Sequence, residues 1–239
     1  MSTVIVTGDS RGLGATIAEW LLDSMEYRVV GLSRGNPPEF LAEKYEDRFA
    51  HYSFDLSEPA AVPDLYRNEL KQQGPIHGLV NNAAVAYDDI VTNADVDVLS
   101  RTFDVNVVAP IMLSKYAIRD MLLNRHSGSL VHVSSVSTST GYKGLSMYAA
   151  TKAALEGFSR GVAREWGERD IRSNCVAPGF METEMTEGLT ESERARIYQR
   201  TSLGEETDPE SVAAAVAFLL SDESRSITGE VIRSDAGTL

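Results

Sequence analysis

Short β-branched runs alternate with longer segments of helical apolar spacing along the whole chain, and this alternation limits the fold more than any other feature. The predicted strands cover residues 3–7, 27–33, 49–55, 76–81, 129–135, 171–177 and 230–234. The predicted helices cover residues 12–24, 58–73, 95–124, 147–169 and 208–221. Strands that alternate with helices pair in parallel through right-handed crossovers. The sequence therefore predicts an α/β fold, with one doubly wound parallel sheet, helices on both faces and a single domain over residues 1–239.

A glycine-rich turn separates the first predicted strand from the first predicted helix, and its spacing is Gly-x-x-x-Gly-x-Gly. Glycines permit a tight turn and let the backbone approach a pyrophosphate, which the free N–H groups of the helix N-terminus then bind. An ordinary glycine-rich surface turn would not explain the flanking strand and helix. We therefore predict a Rossmann-type dinucleotide site that includes Gly8, Ser10, Arg11, Gly12, Leu13 and Gly14.

Tyr148 and Lys152 are four positions apart in a predicted helix, which places them on one face. A free tyrosine has a pKa near ~10, and a neighbouring positive charge lowers it. Such a phenol can give a proton to a carbonyl oxygen or take one from an alcohol. Taken alone, Tyr-x-x-x-Lys is more typical of a solvated helical turn. Together with Ser135, thirteen residues before Tyr148, and the dinucleotide turn, it indicates the acid-base half of a hydride-transfer enzyme.

The second predicted strand ends without an acidic residue. Ser33 and Arg34 stand where an acid would bind both ribose hydroxyls of NAD, and Arg11 can reach the same region. Two guanidinium groups and a hydroxyl suit a 2′-phosphate. NADPH is therefore the predicted cofactor and NADH the alternative, although Arg34 could also be a solvated charge at a strand end.

Composition excludes several classes of protein. The net charge of −13 argues against a nucleic-acid partner. No apolar run approaches the ~20 residues of a membrane span, and the first residues open directly into a strand, so we expect neither a membrane anchor nor a signal peptide. Cys175 is the only cysteine, which fits a reducing cytoplasm. The four histidines lack metal-ligand spacing, and we expect no metal.

The sequence resembles the short-chain dehydrogenase/reductase family over essentially its whole length. Residues 7–14, TGDSRGLG, are similar to that family's Thr-Gly-x-x-x-Gly-x-Gly, and Ser135, Tyr148 and Lys152 fall at its catalytic spacing. The resemblance implies Asn106 as a fourth catalytic residue. It also implies further cofactor-binding positions, which are Asp55, Leu56, Asn82, Ala83, Ala84, Tyr148, Lys152, Pro178, Gly179 and Thr183. Asp55 serves equally well as a helix N-cap.

The resemblance implies a role for each catalytic side chain. Ser135 hydrogen-bonds the substrate oxygen, and Tyr148 protonates it. Lys152 lowers the pKa of the tyrosine and binds the nicotinamide ribose, and Asn106 holds a water that links Lys152 to solvent. If the strand continues through both residues, Ser134 faces the opposite way from Ser135. Residues from 178 to about 201, which include Met185 and Leu189, are implied to be a substrate lid, with an ordinary surface helix pair as the alternative.

Within the family, residues 176–186, 215–223 and 227–230 are most similar to the 3-oxoacyl-acyl-carrier-protein reductases of fatty acid biosynthesis. The predicted function is NADPH-dependent reduction of a carrier-bound 3-oxoacyl thioester to the 3-hydroxyacyl form. Arg125 and Arg169 match basic positions that dock the acidic carrier protein, or else they are solvated arginines at helix ends. The family also implies a homotetramer, built on the helices near 95–124 and 147–169 and on the C-terminal region.

Three positions depart from the family pattern. Asp9 stands where alanine is common, and an acid close to a pyrophosphate is unfavourable unless it points away or pairs with Arg11. Ala84 replaces a glycine, and residues 234–237 replace an Asn/Asp-Gly-Gly segment. The alternative function is therefore a specialised member acting on another ketone or secondary alcohol, for example in polyketide or secondary metabolism. The intact catalytic set argues against a non-catalytic nucleotide-binding regulator.

Overall fold

The strands form one seven-stranded, all-parallel sheet in the order β3-β2-β1-β4-β5-β6-β7. The structure is a computed structural model that describes residues 1–182 and 190–238. The strands are β1 Ser2–Thr7, β2 Tyr27–Ser33, β3 Phe49–Ser53, β4 Ile76–Asn81, β5 Gly128–Val133, β6 Ile171–Pro178 and β7 Val231–Ser234. This arrangement confirms the predicted doubly wound parallel sheet.

The α-helices form a layer on each face of the sheet. They are α1 Gly12–Ser24, α2 Glu39–Lys44, α3 Val62–Asn68, α4 Val96–Phe103, α5 Ala109–Asn124, α6 Ser137–Thr140, α7 Ser146–Trp166, α8 Glu191–Tyr198 and α9 Pro209–Leu220. Helices α1 and α9 share one apolar core with the sheet, and α3, α5 and α7 share the other. Within the described ranges, no helix has the length and apolar character needed to cross a membrane.

Strand β1 shows why the apolar runs are continuous rather than alternating. Val4 and Val6 lie in the core beneath α1 and α9, whereas Ile5 lies in the core beneath α5 and α7. A strand buried on both faces needs apolar residues at every position. The strand order also reverses around β1, which pairs with both β2 and β4. In sheets of this kind, ligands bind beyond the carboxyl ends of the strands at that reversal.

The helical segments are more broken than the sequence indicated. Predicted helix 58–73 is a 3₁₀ turn Pro59–Ala61, then α3, then a 3₁₀ turn Leu70–Gln73. Predicted helix 95–124 is α4, a π-helical turn Asp104–Val108, and α5, and predicted helix 147–169 ends in a 3₁₀ turn Gly167–Arg169. Helices α2, α6 and α8 were not among the predicted helices. They have six, four and eight residues, too few to show a clear period.

Two predicted strands stop two residues early, at Ser53 and Val133. In each case the chain turns at the carboxyl edge of the sheet. Asp55 and Ser135 therefore lie in loops, where a side chain is free to face a ligand instead of a neighbouring helix.

Candidate active site

The glycine turn is held tightly between β1, β2 and β4. Gly8 has φ of 77°, and its N–H donates to the Leu32 carbonyl at 2.8 Å. A Cβ on Gly14 would collide with the Gly8 carbonyl oxygen, so α1 starts closer to the strand than any other residue type allows. Gly12 has φ of 52° with open space where its side chain would be. Gly8 and Gly12 are therefore favoured by their positive φ, and Gly14 by the close approach of α1 to the Gly8 carbonyl.

The first turn of α1 has properties that suit a phosphate. Its N-cap is Arg11, which makes no side-chain capping bond, and the first turn carries no acidic residue. The first N–H groups of a helix need a partner, and an anion is favoured there by the helix dipole. Leu13 is buried in the core and anchors the helix, while Arg11 is exposed at the mouth of the turn. A dinucleotide pyrophosphate fits this arrangement.

The end of β2 presents a polar surface beside the glycine turn. Ser33 is 8% exposed and donates to the Gly35 carbonyl at 3.0 Å. Arg34 is exposed, and its charge contributes to a lowered pKa at Asp55. The larger cause of that lowered pKa is the hydrogen bond from the Ser57 N–H to Asp55 Oδ1, 2.9 Å long. Asp55 thus closes a local turn and is not a helix N-cap, because the next 3₁₀ turn begins at Pro59 with Glu58 as its N-cap. The Leu56 side chain lies in the core.

Thr7 fastens the loop after β4 to the glycine turn, and sequence reasoning missed it. Its hydroxyl accepts from the N–H groups of Asn82 and Ala83 at 2.9 and 3.0 Å. Asn82 Nδ2 in turn donates to the Thr7 carbonyl at 2.9 Å. Ala84 follows in the same loop and is half-buried. A threonine that ends a buried strand directly before a glycine turn was the available signal.

Helix α7 carries Tyr148 and Lys152 on one face, as predicted, but the lysine points into the protein. Lys152 is 1% exposed, its Nζ donates to the Val133 carbonyl at 2.7 Å, and Nζ lies 5.6 Å from the centre of the Tyr148 ring. Burial lowers the pKa of Lys152 to about 8. Burial also raises the pKa of Tyr148 to about 12. In this geometry desolvation outweighs the lowering that we expected Lys152 to cause.

Ser135 lies in the loop between β5 and α6, with its neighbours held firmly from behind. Its Oγ accepts from the Ser137 N–H at 3.2 Å. Strand β5 ends at Val133, so the alternation of faces along a strand does not decide where Ser134 points, and its Oγ donates to Glu156 Oε1 at 2.6 Å. Thr138 Oγ1 lies 2.9 Å from the same carboxylate oxygen. Sequence reasoning missed Glu156, although its position four residues after Lys152 on α7 was a signal.

Asn106 is buried in the π-helical turn between α4 and α5. Its Nδ2 donates to the Val85 carbonyl at 2.9 Å and to Thr151 Oγ1 at 3.0 Å, so both amide hydrogens are in use. Its Oδ1 accepts from the Val85 N–H at 2.8 Å. Pro110, four residues later, has no N–H to offer the Asn106 carbonyl. A water bound at Asn106 would therefore bind mainly to its main-chain carbonyl and not to its side-chain amide. Turns of π-helical geometry are frequent at functional sites.

The end of β6 closes the site on its other side. The Val136 N–H donates to the Pro178 carbonyl at 3.1 Å, which ties the Ser135 loop to β6. A Cβ on Gly179 would collide with the Thr207 hydroxyl. Thr183, Met185 and Leu189 lie outside the described residues. Helix α8 lies within the segment interpreted as a lid.

Arg125 and Arg169 lie at the opposite edge of the sheet. Arg125 follows α5 and precedes β5, and Arg169 precedes β6, so both stand at the amino ends of strands. A hydrogen bond from the Gly128 N–H to the Asp170 carbonyl, 3.2 Å long, brings their two turns together. Both side chains are exposed. The structure thus brings the two arginines into one region but separates them from Tyr148.

The histidines lie in three separate places. His51 pairs with Asp9, His77 stacks on His126, and His132 is buried among Asn81 and Ser173. Across residues 1–182 and 190–238, no group of three His, Cys, Asp or Glu side chains could hold a metal ion.

Three comparisons with known proteins bear on the site. A sequence model described as Enoyl-(Acyl carrier protein) reductase matches residues 8–238. The 3-oxoacyl-acyl-carrier-protein reductase FabG of Salmonella typhimurium is 34% identical over 234 residues, which are 98% of this chain and 95% of that protein. The structure of 4-hydroxyisoleucine dehydrogenase complexed with NADH has a TM-score of 0.92 and 26% identity, covering 99% of this chain and 98% of that one. A structure from Beutenbergia cavernae with bound NADP, described as an NAD(P) dependent gluconate 5-dehydrogenase, has a TM-score of 0.92 and 27% identity, covering 98% and 95%.

Proposed function

The chain belongs to the short-chain dehydrogenase/reductase family, and from that premise we propose that it uses NADPH to reduce a carrier-bound 3-oxoacyl thioester to the 3-hydroxyacyl form. It is an NAD(P)-dependent oxidoreductase. The observation that carries the proposal is that Ser135 follows β5 at the sheet edge of the glycine turn, where Lys152 donates to the Val133 carbonyl and lies 5.6 Å from the Tyr148 ring. The likeness to the Salmonella reductase over 98% of the chain supports the choice of substrate class.

Each catalytic side chain has a stated task in this proposal. The dinucleotide supplies the hydride when bound. The Tyr148 hydroxyl gives its proton to the substrate carbonyl oxygen, and Ser135 Oγ donates a hydrogen bond to the same oxygen. Because burial keeps the Tyr148 phenol protonated, with its pKa raised to about 12, it is poised as an acid in the reducing direction. Lys152 supplies a positive charge behind the ring, and Asn106 holds Thr151 and the loop at Val85 in place.

NADPH is the proposed cofactor, with NADH the less favoured alternative. The exposed Arg11 and Arg34 and the Ser33 hydroxyl, at the glycine turn and the end of β2, are the groups that we propose to bind a 2′-phosphate. A carboxylate at the end of β2, which would favour NAD, is absent from the sequence there. The proposed contacts of the remaining dinucleotide lie at the glycine turn, Asp55, the loop at residues 82–84, and Pro178, Gly179 and Thr183.

The assay that tests the proposal follows the oxidation of NADPH and of NADH with an acetoacetyl thioester, offered on coenzyme A and on acyl carrier protein. We expect NADPH-dependent turnover that improves on the carrier. Tight NADPH binding without turnover of either thioester would refute the substrate class and leave the hydride chemistry standing.

Carrier docking is proposed at Arg125 and Arg169, within a cytoplasmic homotetramer. Since both arginines stand at the amino ends of the strands, a docked carrier must pass its acyl group around the sheet or to another subunit. Charge reversal of both arginines to Glu is expected to raise the KM for the carrier-bound substrate at least about tenfold and to leave the coenzyme A thioester unaffected. The exposed Arg225→Glu is the matched control, and an equal effect of that variant would contradict docking at this place.

A second candidate is a dehydrogenase acting on another ketone or secondary alcohol, including one of polyketide or secondary metabolism. It is favoured by the likeness to 4-hydroxyisoleucine dehydrogenase, at a TM-score of 0.92. Preference for NAD together with oxidation of a hydroxylated acid would select this candidate.

A further inference from the structure

Asp9, the second residue of the glycine turn, is wholly buried and does not face a bound phosphate. Its carboxylate turns away from the turn and lies over Gly31 in β2, where a Cβ would collide with it. The glycine at position 31 therefore makes room for the acid at position 9. The chain thus has an acid at position 9, where alanine is common, together with a glycine in β2 that leaves space for it.

The Asp9 carboxylate ends on His51, in β3. His51 is the register partner of Gly31, and its Nδ1 lies 2.8 Å from Asp9 Oδ2. The side chains of His51 and Asp9 are 13% and 0% exposed. The Asp9 side chain thus connects the glycine turn to β2, at Gly31, and to β3, at His51.

The two side chains depend on each other for charge balance. In the part of the chain that the structure describes, His51 is the ion-pair partner of Asp9, and Asp9 Oδ1 and His51 Nε2 have no hydrogen-bond partner. A buried carboxylate is strongly unfavourable unless a positive charge or a proton accompanies it. The imidazole, with Nδ1 2.8 Å from Asp9 Oδ2, is the group placed to supply either one. Without His51, a negative charge would remain directly beneath a turn that must accept phosphates.

We propose that His51 is a positioning residue that holds the buried Asp9 carboxylate over β2, away from the phosphate-binding side of the glycine turn, and that this pairing sets how tightly the dinucleotide binds. This inference rests on the proposed function, because it assigns the turn to NADPH. The pair touches neither the substrate nor the reacting atoms. Its loss therefore acts on the affinity for the dinucleotide rather than on the chemical step.

The test is a double-mutant cycle read by direct NADPH binding, followed through nucleotide fluorescence, and by steady-state kinetics. His51→Ala leaves Asp9 unpaired, and we expect the Kd and KM for NADPH to rise at least about tenfold, with a much smaller change in kcat. Asp9→Ala added to His51→Ala removes the unpaired charge and is expected to restore NADPH binding to within about threefold of the wild type. His126→Ala, at a half-buried histidine remote from the turn, is the matched control.

A merely structural role would lower kcat and thermal stability together, and the double variant would be worse than either single one. That pattern, or a His51→Ala variant that binds NADPH as the wild type does, would overturn the inference. If His51→Ala does not fold, His51→Gln keeps an N–H donor but no charge, and the same weakening and the same rescue by Asp9→Ala are expected. A wild-type chain that binds neither NADPH nor NADH would overturn the proposed function itself, which distinguishes the two failures.

Discussion

Substitution of Glu156 tests whether hydrogen bonds from the Ser135 loop to α7 fix the position of that loop. The carboxylate is 13% exposed and accepts from Ser134 Oγ at 2.6 Å, while Ser134 itself is 2% exposed. Thr138 Oγ1 lies 2.9 Å from the same oxygen and also 2.9 Å from the Ser135 carbonyl. Glu156→Ala removes the acceptor and leaves the buried Ser134 hydroxyl without a partner.

The magnitude follows from these contacts. A hydrogen bond to a charged group contributes about 1.5–3 kcal/mol, and an unsatisfied buried donor costs a similar amount. Thr138 can turn to the Ser135 carbonyl, so its loss adds little. We therefore expect Glu156→Ala to lower the free energy of unfolding by about 2 kcal/mol. A loop displaced by a fraction of an ångström also misplaces Ser135, and we expect kcat to fall about tenfold or more.

The assays are urea denaturation, steady-state kinetics with an acetoacetyl thioester, and NADPH binding. Glu156→Gln keeps an acceptor oxygen and should retain most of the stability and turnover. Glu165→Ala, at an exposed acid on the same helix, is the control. NADPH affinity should be unchanged in all three variants. Normal kcat in Glu156→Ala, or equal losses in Glu156→Gln, would refute the idea that this acceptor positions the loop.

Three further predictions concern individual side chains. Tyr148→Phe should lower turnover at least ~100-fold in the steady-state assay while NADPH still binds, and unchanged turnover would remove the phenol from the mechanism. Gly31→Ala should destabilise the fold by about 1–3 kcal/mol in urea denaturation, because its Cβ collides with Asp9, and Asp9→Ala should reverse most of that loss. Burial lowers the pKa of Lys152 to about 8 from the ordinary 10.5, so the unfolded chain binds more protons between these values and stability gains from Lys152 as pH rises. Lys152→Met has no buried charge, and we expect it to be more stable than the wild type in urea denaturation at pH 8. This difference in the free energy of unfolding should shrink from pH 8 to pH 10. A constant difference would contradict the buried ammonium.

The topology was predictable from the sequence because the inner strands are buried on both faces, which gives continuous apolar runs, and strands alternate regularly with helices. The glycine turn was predictable for a similar reason, since Gly8 and Gly14 meet local demands of backbone conformation and close packing. Such patterns can be recognised in a single sequence because they depend on residues that are close together along the chain.

The contacts that hold the site were not predictable, because their partners are far apart in sequence. Thr7 acts on Asn82, and Ser134 acts on Glu156, through hydrogen bonds across different elements. The inward turn of Lys152 depends on the Val133 carbonyl, which the helical spacing to Tyr148 does not reveal. The π turn around Asn106 also has no clear sign in a period of 3.6 residues.

These long-range contacts hold the residues at the sheet edge more firmly than the segment around α8. Asn106, Ser134 and Thr7 are each buried and bonded to a second element, so the chemical groups stand on a rigid base. Helix α8, by contrast, has no buried residue, and its described contacts to the site are peripheral: Arg194 reaches Glu182 at 3.0 Å, and Arg200 follows the helix and lies over Tyr142 at 5.4 Å. Weakly packed segments open at low free-energy cost. We therefore propose that the sheet edge fixes the chemistry and that the weakly packed segment around α8 governs the choice of substrate. On this proposal the catalytic set identifies the family and does not identify the individual substrate.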